Sequence, residues 1–281
     1  MNGSRSPITK GMAGFQPASR SILVRRFSKW GSLFLACLLL LSLAGFAHSE
    51  DKKSQLTPVI IAIAPLELTP GVNTTLHVRG LQLDTATDVR FSGTLTTFAA
   101  QIKEKKKADL PNGLEAKEIG DTQIEVALTV PAELPVGSVH FKVVTPEGET
   151  SEHEIRVLNA SDILEEKEPN DGLRTAQPLE AGKILRGSIK ADKDVDVFKI
   201  TGQAKQCLRI AVHAATLGSL LDGVLTLLDS RGNILAVCDD ANGSRDPELN
   251  FTPPADGSYY VCLQDAHDRG GLWHVYELEV K

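Results

Sequence analysis

Two acidic segments, Glu165-Glu166-Lys167-Glu168-Pro169-Asn170-Asp171 and Asp192-Lys193-Asp194-Val195-Asp196-Val197-Phe198, mark the entrance to the second half of this chain. Each is rich in carboxylate oxygens, and alternating apolar and polar residues follow. A period of two is typical of a β-strand with one buried and one exposed face. The two segments therefore predict an acidic connection that leads into a β-rich C-terminal region.

The C-terminal region consists of short alternating stretches between turn residues. Ser230–Asn233 has the composition of a hairpin turn between two of them. We expect an acidic linker over residues 159–170 and an all-β unit over 171–281, packed as a jelly-roll-like sandwich. The predicted strands are Lys183–Ile189, Val195–Ile200, Cys207–His213, Gly223–Asp229, Asn233–Cys238, Ser258–Leu263 and Trp273–Val280.

The same period of two runs through residues 57–158, and this number of strands in about 100 residues predicts an immunoglobulin-like sandwich. The predicted strands are Val59–Ile63, Thr74–Gly80, Asp88–Phe91, Gln123–Val130 and Ser138–Thr145. Within residues 101–120, the run Lys103–Lys107 is either a basic binding patch or a solvated loop insert. The loop is favoured, because no aromatic residues interleave for stacking.

Residues 1–49 have the order of a secretory signal peptide. Basic residues end at Lys29, an apolar run extends over Leu33–Ala47, and Ala47-His48-Ser49 supplies small residues for cleavage. An uncleaved membrane anchor is the alternative, since Trp30–Ala47 reaches the lower edge of a spanning length. A polar leader over residues 50–56 follows. We therefore predict an exported protein, periplasmic or extracellular, with membrane contact only through an uncleaved signal segment.

The charge of the chain argues against nucleic acid as a partner. The formal net charge is −6, but residues 1–49 hold six basic residues and no acidic ones. The remainder has 24 basic and 36 acidic residues, a net charge of −12. Such a surface repels phosphate backbones.

The second half resembles the bacterial pre-peptidase C-terminal domain along its whole length. The matching stretches are Glu166–Asp171, Ala176–Leu179, Gly187–Ile189, Asp194–Phe198, Leu217–Asp222, Leu227–Gly232, Asp239–Asp240, Ala255–Tyr260 and Asp268–Gly271. The resemblance implies a β-sandwich appended to secreted proteases and other exported bacterial proteins, with calcium-binding and collagen-binding relatives. Protease relatives hold their nucleophile in a separate domain, so the resemblance implies no hydrolase activity here.

The first half resembles an IPT/TIG-type immunoglobulin-like domain. The matching positions are turn and core residues, namely Pro58–Pro65, Pro70-Gly71, Leu76–Gly80, Pro131 and Val144–Ser151. An immunoglobulin-like unit followed directly by a pre-peptidase C-terminal domain is similar to an arrangement that recurs in secreted planctomycete-type proteins. Together the two resemblances imply two β-sandwiches in tandem.

The two acidic segments also predict a calcium site. Calcium takes six to eight oxygen ligands from carboxylates, amides and backbone carbonyls. Alternating residues project to one side of an extended chain, and the family resemblance supports the same positions. A plain solvated linker is the alternative, and Lys167 and Lys193 could neutralise the clusters instead. The candidate ligands are Glu166, Glu168, Asn170, Asp171, Asp194 and Asp196.

Motifs of known catalytic sites are absent from the sequence, including the serine-hydrolase elbow, the zinc-protease helix and the phosphate-binding loop. Cys207, Cys238 and Cys262 allow one disulfide, or small residues within strands. Aromatic residues such as Tyr276 and Trp273 are predicted to fill the core rather than bind sugars. Asp222 and Asp240 are expected to pin neighbouring loops by accepting backbone N–H groups.

These observations predict a non-catalytic exported protein for binding, adhesion or scaffolding at the bacterial cell envelope. Its partner would be a protein or polysaccharide of the envelope or extracellular matrix. The alternative is an accessory or substrate-binding partner of a secreted peptidase.

Overall fold

The computed structural model describes residues 57–111 and 113–281, where nearly all regular structure is β-strand. A first sandwich holds a four-stranded sheet in the order β1-β3-β6-β5 and a second sheet in the order β2-β9-β7-β4, to which β8 adds by pairing with β7. Its elements are β1 (Val59–Ala64), β2 (Glu67–Leu68), β3 (Thr74–Leu81), β4 (Asp88–Ser92), β5 (Ala99–Lys107), α1 (Ala116–Ile119), β6 (Thr122–Thr129), β7 (Gly137–Thr145), β8 (Gly148–Glu149) and β9 (His153–Val157).

The core of the first sandwich follows the alternation of the sequence. Every second residue of β3, β6 and β7 faces the opposite sheet and is buried, which removes apolar surface from water. Side chains at the centre of this core include Leu76, Val78, Val126, Phe141 and Ile155. The packing confirms the predicted β-sandwich, whereas its immunoglobulin-like identity stays a prediction. The more specific IPT/TIG resemblance stays a prediction.

The segment Lys103–Lys107 lies in a strand, so its prediction as a loop insert was wrong. These residues belong to β5, which pairs antiparallel with β6 at the edge of its sheet. The pairing with β6 uses backbone N–H and C=O groups, which these residues have whatever their side chains are. The charged side chains therefore do not prevent strand pairing. They remain exposed to solvent along the edge.

The second sandwich holds two five-stranded sheets, β10-β12-β19-β14-β17 and β11-β13-β18-β15-β16. Alternate residues of the central strands fill its core, among them Phe198, Tyr259, Val261 and Tyr276. Its strands are β10 (Ile163–Glu165), β11 (Gln177–Pro178), β12 (Ile184–Ser188), β13 (Val195–Gly202), β14 (Leu208–His213), β15 (Gly223–Leu228), β16 (Ile234–Cys238), β17 (Glu248–Phe251), β18 (Gly257–Asp265) and β19 (Val275–Val280).

The segment predicted as an acidic linker contributes a strand to the second sandwich. Within it, β10 pairs in parallel with β12, in a register that places Ile163 beside Ile184 and Glu165 beside Arg186. The Glu165 carboxylate accepts hydrogen bonds from the Arg186 guanidinium, so its charge is neutralised at the sheet edge. Residues 163–165 therefore belong to the sheet rather than to a free connection.

The two sandwiches touch through an apolar contact and several ion pairs, here named the junction. Ala62 and Ala64 of β1 pack with Trp273, and the Ile63 N–H donates to the Gly218 carbonyl. Across the same boundary, Arg156 pairs with Glu277 and Arg186 pairs with Glu67. Both carboxylates are buried, so the contact removes charged as well as apolar groups from water.

Two predictions about the remaining sequence have different outcomes. The signal peptide of residues 1–49 and the leader of residues 50–56 lie outside the described residues. In the described part of the chain, no helix has the length and apolar character that a bilayer crossing requires.

Cys207, Cys238 and Cys262 are free thiols, so the disulfide alternative was wrong. Burial raises the pKa of the Cys262 thiol to about 11.

Candidate cation site

Three segments that are distant in sequence bring acidic side chains together at one corner of the second sandwich. The chain leaves β10 as residues 166–170 and passes beside the start of β13. There the N–H of Val197 donates to the Asn170 carbonyl. Tyr276 of β19 approaches from the opposite sheet, because its position in the alternation directs it inward. The corner is therefore built from a loop and two strands.

The acidic oxygens of Glu166, Glu168 and Asp196 form the centre of the site. One carboxylate oxygen from each lies within 4.8 Å of the others. Asp196 is fully buried, and the Glu166 side chain is 4% exposed. Glu168 remains exposed, but the like charges of Glu166 and Asp196, taken out of water, are unfavourable unless a positive charge or protons compensate them.

The Tyr276 hydroxyl lies between two of these carboxylates. Its oxygen is 2.6 Å from Asp196 Oδ2 and 3.1 Å from Glu166 Oε1. A phenol has a single proton, so it donates to one carboxylate at a time. The same burial and the two carboxylates raise the pKa of Tyr276, which keeps the hydroxyl protonated.

Two oxygens of the site have no hydrogen-bond partner among the described residues. They are Asp196 Oδ1 and Asn170 Oδ1, both buried. The Asn170 amide group is oriented by donation from its Nδ2 to Glu166 Oε1 at 3.1 Å. Burial, and then repulsion from Glu166, raise the pKa of Asp196 to about 9. Most buried polar atoms are paired, so these two oxygens are exceptions within the core of the domain.

Lys190 supplies positive charge at the rim. Its Nζ is 3.1 Å from Glu168 Oε1 and 3.4 Å from Glu166 Oε2, and its side chain is half exposed. Lys167 and Lys193, the residues considered as neutralising groups, form no ion pair in the described ranges. Lys190 does not approach Asp196 within ion-pair distance, so the buried carboxylate is left uncompensated.

The structure gathers four of the six candidate ligands, Glu166, Glu168, Asn170 and Asp196, at this corner. Asp194 lies at its edge, where its Oδ2 accepts the backbone N–H of Lys190 at 2.7 Å and its charge adds to the raised pKa of Asp196. Asp171 is exposed and lies outside the group.

Sequence reasoning missed Tyr276, Ser188 and Lys190 as members of the site. The Ser188 N–H donates to Glu166 Oε2 at 3.1 Å, which fixes that carboxylate. These residues join the site only because β12 pairs with β19 and both lie beside the loop. The alternation of β19 predicts that Tyr276 is buried, but nothing local to it indicates an acidic neighbour.

The donor set of this corner fits a hard divalent cation such as calcium. Carboxylate and amide oxygens are the ligands that calcium prefers, and two such oxygens are unsatisfied here. A cation would also relieve the repulsion between Glu166 and Asp196.

Residues 194–265 match the family model of the bacterial pre-peptidase C-terminal domain. A probable subtilase-type serine protease of Deinococcus radiodurans is 42% identical to this chain over 97 residues. Those residues make up 34% of this chain and 13% of that protein. The second sandwich thus contains a pre-peptidase C-terminal domain, and the chain spans a small part of the protease that it matches.

Similar solved structures include the pre-peptidase C-terminal domain of a Bacillus anthracis collagenase, with 24% identity and a TM-score of 0.32 over 41% of this chain and all of that one. A secreted serine protease of Vibrio cholerae has 9% identity and a TM-score of 0.27, over 76% of this chain and 48% of that one. Both TM-scores are low, so these two matches support no functional argument.

Proposed function

We propose that this chain, with its pre-peptidase C-terminal domain, is an exported non-catalytic binding protein whose second sandwich is stabilised by calcium. The observation that carries the proposal is the acidic group at the entrance to β13, where two buried oxygens, Asp196 Oδ1 and Asn170 Oδ1, lack partners among the described residues. The group lies within the packed domain, and the sequence has none of the catalytic motifs. Its geometry therefore favours a structural ion over a reacting centre.

Glu166, Glu168, Asn170 and Asp196 would hold the ion. Asn170 would offer its free Oδ1, and Asp196 its free Oδ1. Lys190 would move away from the rim, since its side chain is half exposed and a divalent cation replaces its charge. Asp194 would remain bonded to the backbone at the edge.

The bound ion would fasten residues 166–170 to β13. A cation that binds only the folded state adds RT ln(1 + [L]/Kd) to the free energy of unfolding, about 2.7 kcal/mol when its concentration is 100 times Kd. The ion would thereby fix the loop that follows β10 within the second sandwich.

A thermal melt of the full chain in calcium and in EDTA tests this site. We expect calcium to raise the melting temperature by several degrees in the wild type and to leave an Asp196→Asn variant unchanged. Asp171→Asn is the matched control, because Asp171 is acidic, near in sequence and outside the group. Equal melting temperatures with and without calcium in the wild type would contradict the site.

The export part of the proposal has its own test. The small residues at Ala47-His48-Ser49 predict cleavage before Glu50 in an exporting host. N-terminal sequencing of the exported product should then start at Glu50. A product that keeps Leu33–Ala47 and stays with the membrane fraction would support the anchor instead.

The ligand of the binding protein would be a protein or polysaccharide of the envelope or extracellular matrix. Retention of the full chain on isolated envelope and matrix fractions, with and without EDTA, tests this role. We expect saturable retention that calcium strengthens. Retention that is neither saturable nor displaced by unlabelled protein would count against a specific ligand.

A second candidate is an accessory of a secreted peptidase, acting as its substrate-binding or folding partner. The identity to part of a probable subtilase-type protease favours it. Co-purification of a peptidase with the chain from its native host would support this role. Peptidase activity of the purified chain alone would contradict both candidates.

A further inference from the structure

Strand β16 is an unusually apolar edge of the second sandwich. It pairs with β15 on one side and with no strand of residues 57–111 or 113–281 on the other. Three of its five side chains are large, apolar and exposed, namely Ile234 at 66%, Leu235 at 41% and Val237 at 56%. A free edge with apolar side chains is a template for pairing with another strand.

The other sheet edges of the described chain are protected. Strand β1 lacks charges, but its Ile63 N–H is paired with Gly218 at the junction. Each remaining edge strand has a charged residue or a proline, which blunts pairing with another chain. These residues are Glu67 in β2, Arg90 in β4, Lys105 in β5, Glu149 in β8, Glu165 in β10, Pro178 in β11 and Glu248 in β17. The exposed edge of β16 has no such protection.

The apolar surface continues from β16 onto the outer face of its sheet. The register places Val237 beside Thr226 and Thr226 beside Cys262, and it places Ile234 beside Leu228 and Leu228 beside Tyr260. These neighbours are partly exposed. A strand added at β16 would therefore extend an apolar face as well as a hydrogen-bonded edge.

Charged residues flank β16 at both ends, Asp229 and Arg231 before it and Asp239 and Asp240 after it. Arg231 precedes the strand, in a turn whose Asp229 carboxylate is occupied by Arg231 and Asn233 N–H groups. Asp239 and Asp240 follow the strand. When two copies of β16 lie antiparallel about a two-fold axis, Arg231 of each copy lies at the end where the other copy carries Asp239 and Asp240. A closed two-fold contact requires this self-complementarity.

We propose that β16 pairs antiparallel with β16 of a second copy of this chain, which joins two five-stranded sheets into one continuous sheet. The exposed apolar side chains are covered in the dimer, and Arg231 of each copy faces Asp239 and Asp240 of the other. The two Cys238 thiols lie at opposite ends of the paired strands, so the dimer needs no disulfide and persists in reductant.

Sedimentation velocity of the full chain at about 1 to 100 µM tests the proposal, because this range covers weak self-association. We expect a dimer fraction that rises with concentration. Val237→Lys should weaken association at least about tenfold, since its charge must remain hydrated at the joined edge. Val136→Lys is the matched control, because Val136 is 53% exposed in a loop of the first sandwich, and it should dimerise as the wild type does.

A charge exchange separates loss of pairing from loss of folding. Arg231→Glu should weaken the dimer, and Arg231→Glu with Asp240→Arg should restore it. A thermal melt of each variant verifies that it is folded. A wild type that is monomeric throughout the concentration range overturns the proposal and leaves β16 for a strand of a different protein. Equal weakening by Val136→Lys and Val237→Lys overturns it as well.

Discussion

The Tyr276 hydroxyl illustrates how one atom sets the chemistry of the corner. It contacts carboxylates of Glu166 and Asp196 but has one proton to donate. At least one acidic oxygen must therefore find a proton or a cation elsewhere. The sequence predicts the acidic residues of the site. It predicts Tyr276 only as a core residue, because Tyr276 lies 110 residues beyond the Glu166 that it contacts.

Replacement of Tyr276 by phenylalanine removes that donor and leaves two buried carboxylates without it. We expect a loss of about 1–3 kcal/mol in the free energy of unfolding without calcium, the usual cost of an unsatisfied buried group. Calcium should reduce the loss, because the ion satisfies the same oxygens. Denaturant unfolding with calcium and with EDTA measures both values.

Tyr259→Phe is the control for this replacement. The Tyr259 hydroxyl donates to the Ala255 carbonyl, away from the acidic group. The loss in free energy of unfolding caused by Tyr259→Phe should be smaller and independent of calcium. If Tyr276→Phe lowers the free energy of unfolding equally with and without calcium, the hydroxyl and the proposed ion do not act on the same oxygens.

At the scale of elements, strands β12 and β19 hold the tyrosine in place. Gly187 of β12 lies directly opposite Tyr276, and a Cβ at position 187 would be 2.5 Å from the tyrosine oxygen. The glycine is thus required by close packing of the ring rather than by its backbone angle. Pairing of these two strands, distant in sequence, also fixes Ser188 beside Glu166.

Gly187→Ala should push the Tyr276 ring out of its position. We expect about 1–3 kcal/mol of destabilisation, typical of an overpacked core, together with weaker calcium binding. Gly257→Ala on β18 is the control, because nothing lies within 4 Å of the Cβ that it adds. Equal stability of the two variants would contradict the packing argument.

Period-two alternation identified most strands, because it records which face is buried. It failed for β5, where Lys103–Lys107 pair through backbone groups that the side chains do not report. It failed again for β10, because the acidic composition of residues 159–170 indicated a linker rather than a strand. Asp246 and Asp265, rather than Asp222 and Asp240, accept backbone N–H groups from neighbouring loops. Pairing of loops distant in sequence has no local signal.

At the scale of the molecule, the junction couples the two sandwiches through buried charges. Burial raises the pKa of Glu277 to about 8, with Arg156 opposing the rise and Glu67 and Glu279 adding to it. Glu277 Oε1 has no hydrogen-bond partner among the described residues. Local sequence patterns do not predict the pairing of Arg156 with Glu277 or of Arg186 with Glu67, because each pair joins residues of both sandwiches.

The raised pKa of Glu277 makes stability depend on pH. The folded state holds the proton more tightly than the unfolded state, so this contribution is complete below the ordinary value of 4.5 and is lost as pH rises through about 8. Glu277→Gln resembles the protonated group. We therefore expect the variant to gain stability relative to the wild type between about pH 5 and about pH 8.

Denaturant unfolding of both proteins in EDTA measures this difference. Asp196 titrates in the same direction, but it is present in both proteins and cancels in the comparison. Glu180→Gln, at an exposed carboxylate between β11 and β12, is the control and should show no such trend. A difference in the free energy of unfolding that is constant across the pH range would contradict the raised pKa of Glu277.

Calorimetric titration of the full chain with calcium tests the central claim most directly. We predict binding of about one calcium per chain, as expected for a single oxygen-ligand site. Binding should be lost in Glu166→Gln/Asp196→Asn and kept in Asp171→Asn. Absence of binding in the wild type, or an unchanged isotherm in the double variant, would contradict the account and leave the acidic corner without an ion.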